Sequence, residues 1–240
     1  MSADYINFAL ENKMRMLIDK NTDAIIFDMD GTMWDAIDTY AHIWNTAFAQ
    51  HGIEQRITRE DLLSLIGTPI DDIMRHFVKD DMVEPLLATI ARLVPTELPR
   101  LGGRLYEGVQ EGVARLAQHY KLFMLSNCDE LELPIFVRYA GIEAYITDTL
   151  AYGNTRLRKA ENMRLLAERY NLRHPVYVGD TAGDGAETHR AGLPFVWVSY
   201  GFGKTDHYEL RCDTFAELTT YFEQLAHNRQ HTTERELNIR

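Results

Sequence analysis

Two aspartates spaced two residues apart, Asp28 and Asp30, close the apolar run Ile25-Ile26-Phe27 and lead into Gly31 and Thr32. Carboxylates at this spacing, with no basic residue beside them, need either a cation or a chemical task. An ordinary Asp/Gly turn after a strand is the plain alternative, and this segment alone does not separate the two. Other apolar runs end in similar chemistry. Leu122–Leu125 stops at Ser126-Asn127, and Val176–Val178 stops at Gly179-Asp180, with Asp184 four residues on. Lys159 stands just before a helical pattern over 161–170. Several carboxylates brought together repel unless something cationic sits among them, and oxygen donors at this density suit Mg²⁺. Ser126, Asn127 and Lys159 are the donors that the peripheral oxygens of a phosphoryl group would require.

These groups are far apart in sequence, so the fold must bring them together. Short apolar runs read as buried parallel strands, here at about 23–28, 122–125, 176–178 and 195–198, with a weaker one near Tyr145-Ile146. Helical patterns separate them: Val109, Val113, Leu116, Ala117 and Tyr120 form one face, and Met163, Leu166, Ala167 and Tyr170 another. Strands alternating with helices predict a parallel sheet with right-handed crossovers. Sites of such sheets lie at the carboxyl ends of the strands, where Asp28, Asp30, Ser126, Asn127, Asp180 and Asp184 all fall.

Between about 36 and 100 there is no strand signal. Three helical stripes run through Ile37–Phe48, Ile70–Val78 and Val83–Val94. The cluster Pro95, Pro99, Gly102 and Gly103 then reads as a linker. The expected fold is α/β: a Rossmann-like parallel-sheet core with an inserted all-helical domain. Its divisions are an N-terminal helical extension (1–22), the core (23–35 and 104–226), the insert (36–103) and a polar tail (227–240).

The net charge of −11 argues against a nucleic-acid or anionic-membrane binder, which needs a basic face. Anionic small substrates stay possible, because a metal and a few local cations reverse the sign inside a site. Two cysteines, Cys128 and Cys212, are too few for a disulfide scaffold or a structural zinc site. No apolar stretch reaches membrane-spanning length, and Asp4, Glu11 and Lys13 interrupt any signal-peptide core. A cytoplasmic location is expected, and the oligomeric state is left open.

The four segments, in order, resemble the motifs of the haloacid dehalogenase superfamily, in its phosphoglycolate phosphatase-like branch with a helical cap. They are Asp28-Met29-Asp30-Gly31-Thr32, Ser126-Asn127, Lys159, and Gly179-Asp180-Thr181-Ala182-Gly183-Asp184, within a likeness spanning about residues 22–222. The resemblance implies that Asp28 is the nucleophile, forming an aspartyl-phosphate. Asp30 would protonate the leaving oxygen and later activate water. Mg²⁺ would bind Asp28, the backbone carbonyl of Asp30 and Asp180, with Asp184 as a ligand or a support. Ser126, Asn127 and Lys159 would hold the phosphoryl group, Lys159 being preferred over its neighbours Arg156 and Arg158. Thr32 would support the loop.

The implied activity is Mg²⁺-dependent hydrolysis of a small phosphorylated metabolite. Within the superfamily, Asp30 favours P–O cleavage over dehalogenation, because a halide leaves unprotonated. Ile70 stands where phosphonate-cleaving relatives place a lysine. A sugar-phosphate mutase using the same intermediate, and a non-catalytic binding protein on this scaffold, remain as alternatives. Gly67-Thr68-Pro69, with Arg75 and His76, is the candidate selectivity segment. Phosphoglycolate, a sugar phosphate, a nucleoside monophosphate and pyrophosphate all stay open as substrates.

Overall fold

The computed structural model describes residues 17–237, with side chains to residue 229. In chain order the elements are β1 (Ala24–Phe27), β2 (Trp34–Asp35), α1 (Ile37–Gln50), α2 (Arg59–Leu63), α3 (Ile70–Arg75), α4 (Asp80–Leu101), β3 (Arg104–Leu105), α5 (Val109–Leu116) and β4 (Lys121–Ser126). There follow α6 (Glu132–Tyr139), a 3₁₀ turn (Glu143–Tyr145), β5 (Asp148–Ala151), α7 (Tyr152–Thr155), α8 (Lys159–Arg169), β6 (Pro175–Gly179), α9 (Ala182–Ala191), β7 (Phe195–Val198), β8 (Leu210–Cys212) and α10 (Phe215–Leu237).

Six strands form one parallel sheet in the order β5-β4-β1-β6-β7-β8. β1 is a four-residue apolar run, wholly buried, and it lies between β4 and β6 in matched register. Its side chains divide by period two. Ile25 and Phe27 join one hydrophobic cluster, with Leu122, Met124, Val176 and Val178. Ala24 and Ile26 join the cluster on the opposite face, with Phe123, Leu125 and Tyr177. A strand covered on both faces reads as a continuous apolar run, which is why the sequence reveals it. The chain builds one half of the sheet through β4 and β5, then crosses to the other side of β1 through β6. That reversal is the point where doubly wound sheets open a crevice.

The antiparallel pair β2–β3, Trp34 opposite Leu105 and Asp35 opposite Arg104, brackets helices α1–α4. Helix α1 packs on α4. Pro95 and Pro99, read from sequence as part of a linker, lie inside α4, which runs unbroken to Gly102 at φ +67°. Each proline removes a backbone donor. The buried stripe Val83, Leu86, Ile90, Val94 and Leu98 holds the helix regardless, since packing outweighs propensity.

Other expectations shift as well. The strand sought near Tyr145-Ile146 is a 3₁₀ turn, and the ladder forms at Asp148–Ala151 instead. Lys159 is the first residue of α8 rather than a residue before it. The closing helix continues past residue 226, so the segment read as a polar tail is helical as far as Leu237. Short β2, β3 and β8 and the single-turn α2 carry too few residues for a periodic signal. The expected N-terminal helix falls largely outside the described residues, and Leu17 and Ile18 are not helical. Among the described residues no helix is long and apolar enough to cross a membrane.

Candidate active site

The carboxyl ends of the three adjacent strands β4, β1 and β6 carry the site. Asp28 directly follows β1, its N–H donating to Val178 O at 2.8 Å, so the sheet ladder itself sets its backbone. Ser126 is the last residue of β4, and Asp180 directly follows β6. Asp184 stands one helical turn further, in α9. Its carboxylate accepts from Thr181 N (3.0 Å) and Thr181 Oγ1 (2.7 Å), while its own N–H donates to Thr181 Oγ1 (3.1 Å). This is a reciprocal capping box, and it fixes the Asp184 side chain at the start of the helix.

The buried carboxylates of Asp28, Asp180 and Asp184 each place an oxygen within 4.8 Å of the others. Buried Lys159 reaches them from α8. Its Nζ is 2.5 Å from Asp184 Oδ1 and 3.0 Å from Asp28 Oδ1. The Asp28 contact has ion-pair distance without hydrogen-bond alignment, so Oδ1 of Asp28 lacks a hydrogen-bond partner. One ammonium among three carboxylates leaves an excess of negative charge in a low-dielectric site. All-oxygen donors with an unsatisfied anionic atom suit a hard divalent cation, and these three residues could hold one.

The electrostatics carry the same imbalance. Burial, then the Asp184 charge, pushes the Asp28 carboxyl up to about 6 against the opposing pull of Lys159. Burial, Asp184 and Asp28 raise Asp180 well above the usual carboxylate range. Burial works to lower Lys159, but Asp184 and Asp28 overcome it and hold the ammonium charged. Asp30 is raised well above its ordinary value by burial, then by Glu132 and Asp28. A carboxyl raised in this way favours its protonated form and can donate a proton.

Each acid is held from elsewhere in the fold. Asp30 Oδ1 accepts from Trp34 Nε1 at 2.9 Å. Asp180 Oδ2 accepts from Phe202 N (2.7 Å), its Oδ1 from Thr32 Oγ1 (3.4 Å), and its carbonyl from Trp197 Nε1 (3.0 Å). Thr32 thus ties the loop after β1 to Asp180, and Tyr200 Oη donates to its carbonyl at 2.8 Å. Gly31 (φ +78°) lies so near Asp180 that a Cβ there would sit 2.2 Å from Oδ2.

One cavity joins this cluster to the helices. It is lined by Asp28, Asp30, Ser126, Asn127 and Lys159 on the sheet side, and by Gly67, Thr68 and residues of α1–α3 on the other. Asn127 Nδ2 donates to Gly67 O at 2.6 Å, tying the two sides together. Arg75 and His76, grouped from sequence with Gly67-Thr68-Pro69, do not line the cavity. Both are exposed, Arg75 pairing with Asp72 (2.8 Å) and His76 Nδ1 meeting Asp72 O (2.9 Å). Arg156 turns outward to Asp71 (3.0 Å), and Arg158 is exposed.

Sequence reasoning passed over three groups here. Trp34 holds Asp30, Glu132 lines the cavity from α6, and the Gly201-Phe202 loop holds Asp180. Only the Thr181-x-x-Asp184 spacing carried a readable sign, that of a capping box. Cys128 also lines the cavity, and burial with Glu132 and Asp30 keeps its thiol neutral. His189 is occupied structurally, 3.0 Å from Glu209.

An α/β sheet with clustered carboxylates, one buried lysine and hydroxyl and amide donors at its switch point defines a class of enzyme built to handle an anionic group beside a cation. Residues 25–198 match the family model described as haloacid dehalogenase-like hydrolase, and the chain belongs to that family. It is similar to the phosphoglycolate phosphatase of Rhodobacter capsulatus, 26% identical over 190 residues, covering 76% of this chain and 86% of the relative. It is also similar to the phosphoglycolate phosphatase of Synechococcus elongatus, 28% identical over 183 residues, covering 75% and 84%. The fold resembles that of a haloacid dehalogenase-like hydrolase from Streptococcus pneumoniae, with a TM-score of 0.73 at 16% identity, covering 84% of this chain and 99% of the other.

Proposed function

We propose that the chain is a Mg²⁺-dependent phosphatase that hydrolyses a small phosphate monoester through an aspartyl-phosphate on Asp28. The observation that carries this reading is the meeting of Asp28, Asp180 and Asp184 within 4.8 Å beside the Lys159 ammonium. Asp28, Asp180 and Asp184, with the Asp30 carbonyl, would hold Mg²⁺. When bound, the ion supplies positive charge that offsets repulsion between an anionic nucleophile and an anionic substrate.

The remaining chemistry belongs to the chain. A carboxylate oxygen of Asp28 attacks phosphorus in line, and the bond from phosphorus to the ester oxygen breaks. Asp30, protonated in the resting site, gives its proton to that departing oxygen. Asp30, now ionised, takes a proton from water as the water oxygen attacks the phosphoryl group. The phosphorus–Asp28 bond breaks, inorganic phosphate leaves, and both aspartates return to their starting states. Ser126, Asn127 and Lys159 orient the transferring group and stabilise its charge, where positioning supplies much of the rate. Residues 36–103 act as a cap over the core of 23–35 and 104–226, excluding water and favouring a small metabolite over a macromolecule.

The test is inorganic phosphate release from small esters and p-nitrophenyl phosphate, with Mg²⁺ and with chelator, for wild type and Asp28→Asn. Metal-dependent turnover that Asp28→Asn abolishes supports the reading. Absence of release from every ester would move a mutase or a non-catalytic role ahead.

A further inference from the structure

The cavity is chemically asymmetric. At the phosphoryl end stand Asp28, Ser126, Asn127 and Lys159. Lys159 is the one cationic side chain among the described residues that line it, and Asp28 and Asp184 both engage its ammonium. Other arginines face elsewhere: Arg75 to Asp72, Arg156 to Asp71, and Arg59 to Asp35 and Asp38. Away from the phosphoryl end the lining is apolar and aromatic, including Ile37, Trp44 and Leu62, with the acids Asp30 and Glu132 set among it.

Glu132 is buried, and its Oε1 accepts one long bond from Asp129 N at 3.3 Å. That bond at the start of α6 engages one oxygen of the carboxyl. The Tyr40 hydroxyl, buried beside the Asp30 and Glu132 carboxyls, makes no aligned hydrogen bond, and Asn127 Oδ1 has no hydrogen-bond partner. Buried polar atoms are nearly always satisfied, and those left open in a cavity mark where a ligand's polar atoms sit.

We infer that the leaving group of the substrate is an uncharged, hydroxyl-bearing carbon skeleton, a polyol or sugar, recognised by Glu132 and Tyr40, and not the carboxylate-bearing skeleton of phosphoglycolate. This inference rests on the phosphatase reading and deepens it. A second carboxylate on the substrate would be buried against the apolar wall with no free cation to meet it, and an unpaired buried charge selects against a ligand. A hydroxyl both donates and accepts. It can donate to the Glu132 carboxyl or to Asn127 Oδ1, and accept from the Tyr40 hydroxyl, while the carbon face rests on the apolar wall. Sites built around buried hydrogen-bonding groups reject analogues that lack the partner.

The experiment compares kcat/KM, with Mg²⁺ present, for glycerol phosphate, ribose phosphate, phosphoglycolate, phosphoethanolamine and p-nitrophenyl phosphate. A polyol or sugar ester is expected to exceed phosphoglycolate by about tenfold or more. Glu132→Gln and Tyr40→Phe should each lower kcat/KM for the preferred ester by about tenfold, chiefly through KM, and lower it less for p-nitrophenyl phosphate. Preference for phosphoglycolate or phosphoethanolamine overturns the inference. So does an equal loss on every substrate in both variants, which would assign the two residues a structural role. If p-nitrophenyl phosphate is hydrolysed but no polyol or sugar ester is, this inference alone fails. If nothing is hydrolysed, the phosphatase reading fails and the inference falls with it.

Discussion

Burial, Glu132 and Asp28 all raise the Asp30 carboxyl, and the indole N–H of Trp34 is the leading group that opposes them. Replacing Trp34 by Phe removes the donor that favours the ionised form, so the Asp30 pKa should rise further. The acid stays protonated to higher pH but becomes a weaker partner once ionised. Trp34→Phe is therefore expected to move the alkaline limb of the kcat profile to higher pH and to lower kcat by about tenfold. An unmoved limb would show that Trp34 only packs. Glu132 makes a second prediction at this level. Burial, then Asp129, pushes its carboxyl up to about 8 from an ordinary 4.5. The folded chain then holds a proton that the unfolded chain has released between those two values. Its contribution to stability is full below about 4.5 and is lost as pH rises through about 8. Glu132→Gln removes this dependence, and its melting temperature should exceed that of wild type at pH above 8, with the gap closing toward pH 5. Each kcal/mol gained corresponds to about 2–4 °C in a chain of this size.

The loops after β1 and β6 interlock, and a glycine makes it possible. Gly31 sits at φ +78° with Asp180 Oδ2 only 2.2 Å from where a Cβ would lie, whereas Gly52, at φ +70°, has open space around it. Both alanine substitutions incur left-handed strain of about 1–2 kcal/mol. Gly31→Ala must also displace the Asp180 carboxylate. It should abolish phosphate release and destabilise by several kcal/mol, while Gly52→Ala retains activity and loses only the strain. Activity and denaturant midpoints of the pair separate the two effects, and full activity in Gly31→Ala would refute the interlock. The Arg156–Asp71 pair links α3 to the segment after α7, but Arg156 is largely exposed. Asp71→Asn should therefore change stability by less than about 1 kcal/mol.

Across the molecule, the site strains a structure that is otherwise well packed. Asp28 and Asp180 are both raised by burial and by neighbouring like charge, which Lys159 offsets only in part, so their ionised forms oppose folding and a divalent cation held there would relieve this. Mg²⁺ at about a hundred times its dissociation constant should stabilise the fold by about 2.7 kcal/mol, seen as a rise in melting temperature that chelator reverses. Asp180→Asn should reduce that rise while leaving the metal-free protein at least as stable as wild type. A metal response unchanged in Asp180→Asn would place the ion elsewhere.

The parallel α/β architecture was readable because strands buried on both faces must be apolar throughout, as Ala24–Phe27 and Phe195–Val198 are. The clustered acids were readable because Asp28 and Asp180 stand where apolar strands end, a place sequence pattern reveals. The lysine was chosen from sequence only by its place in the motif order; the structure buries Lys159 between Asp28 and Asp184, while Arg158 and Arg156 face outward. Periodicity reveals little about elements of two or three residues, or about a helix that keeps its prolines by packing. It also cannot show which distant side chain closes a site. Trp34 on Asp30, Phe202 on Asp180, and Tyr40 beside Glu132 in the cavity each depend on contacts between segments with no shared local pattern. Local sequence sets strand faces and helix stripes, because backbone geometry has fixed periods. The surroundings of the reacting groups come from packing, and packing exists only in three dimensions.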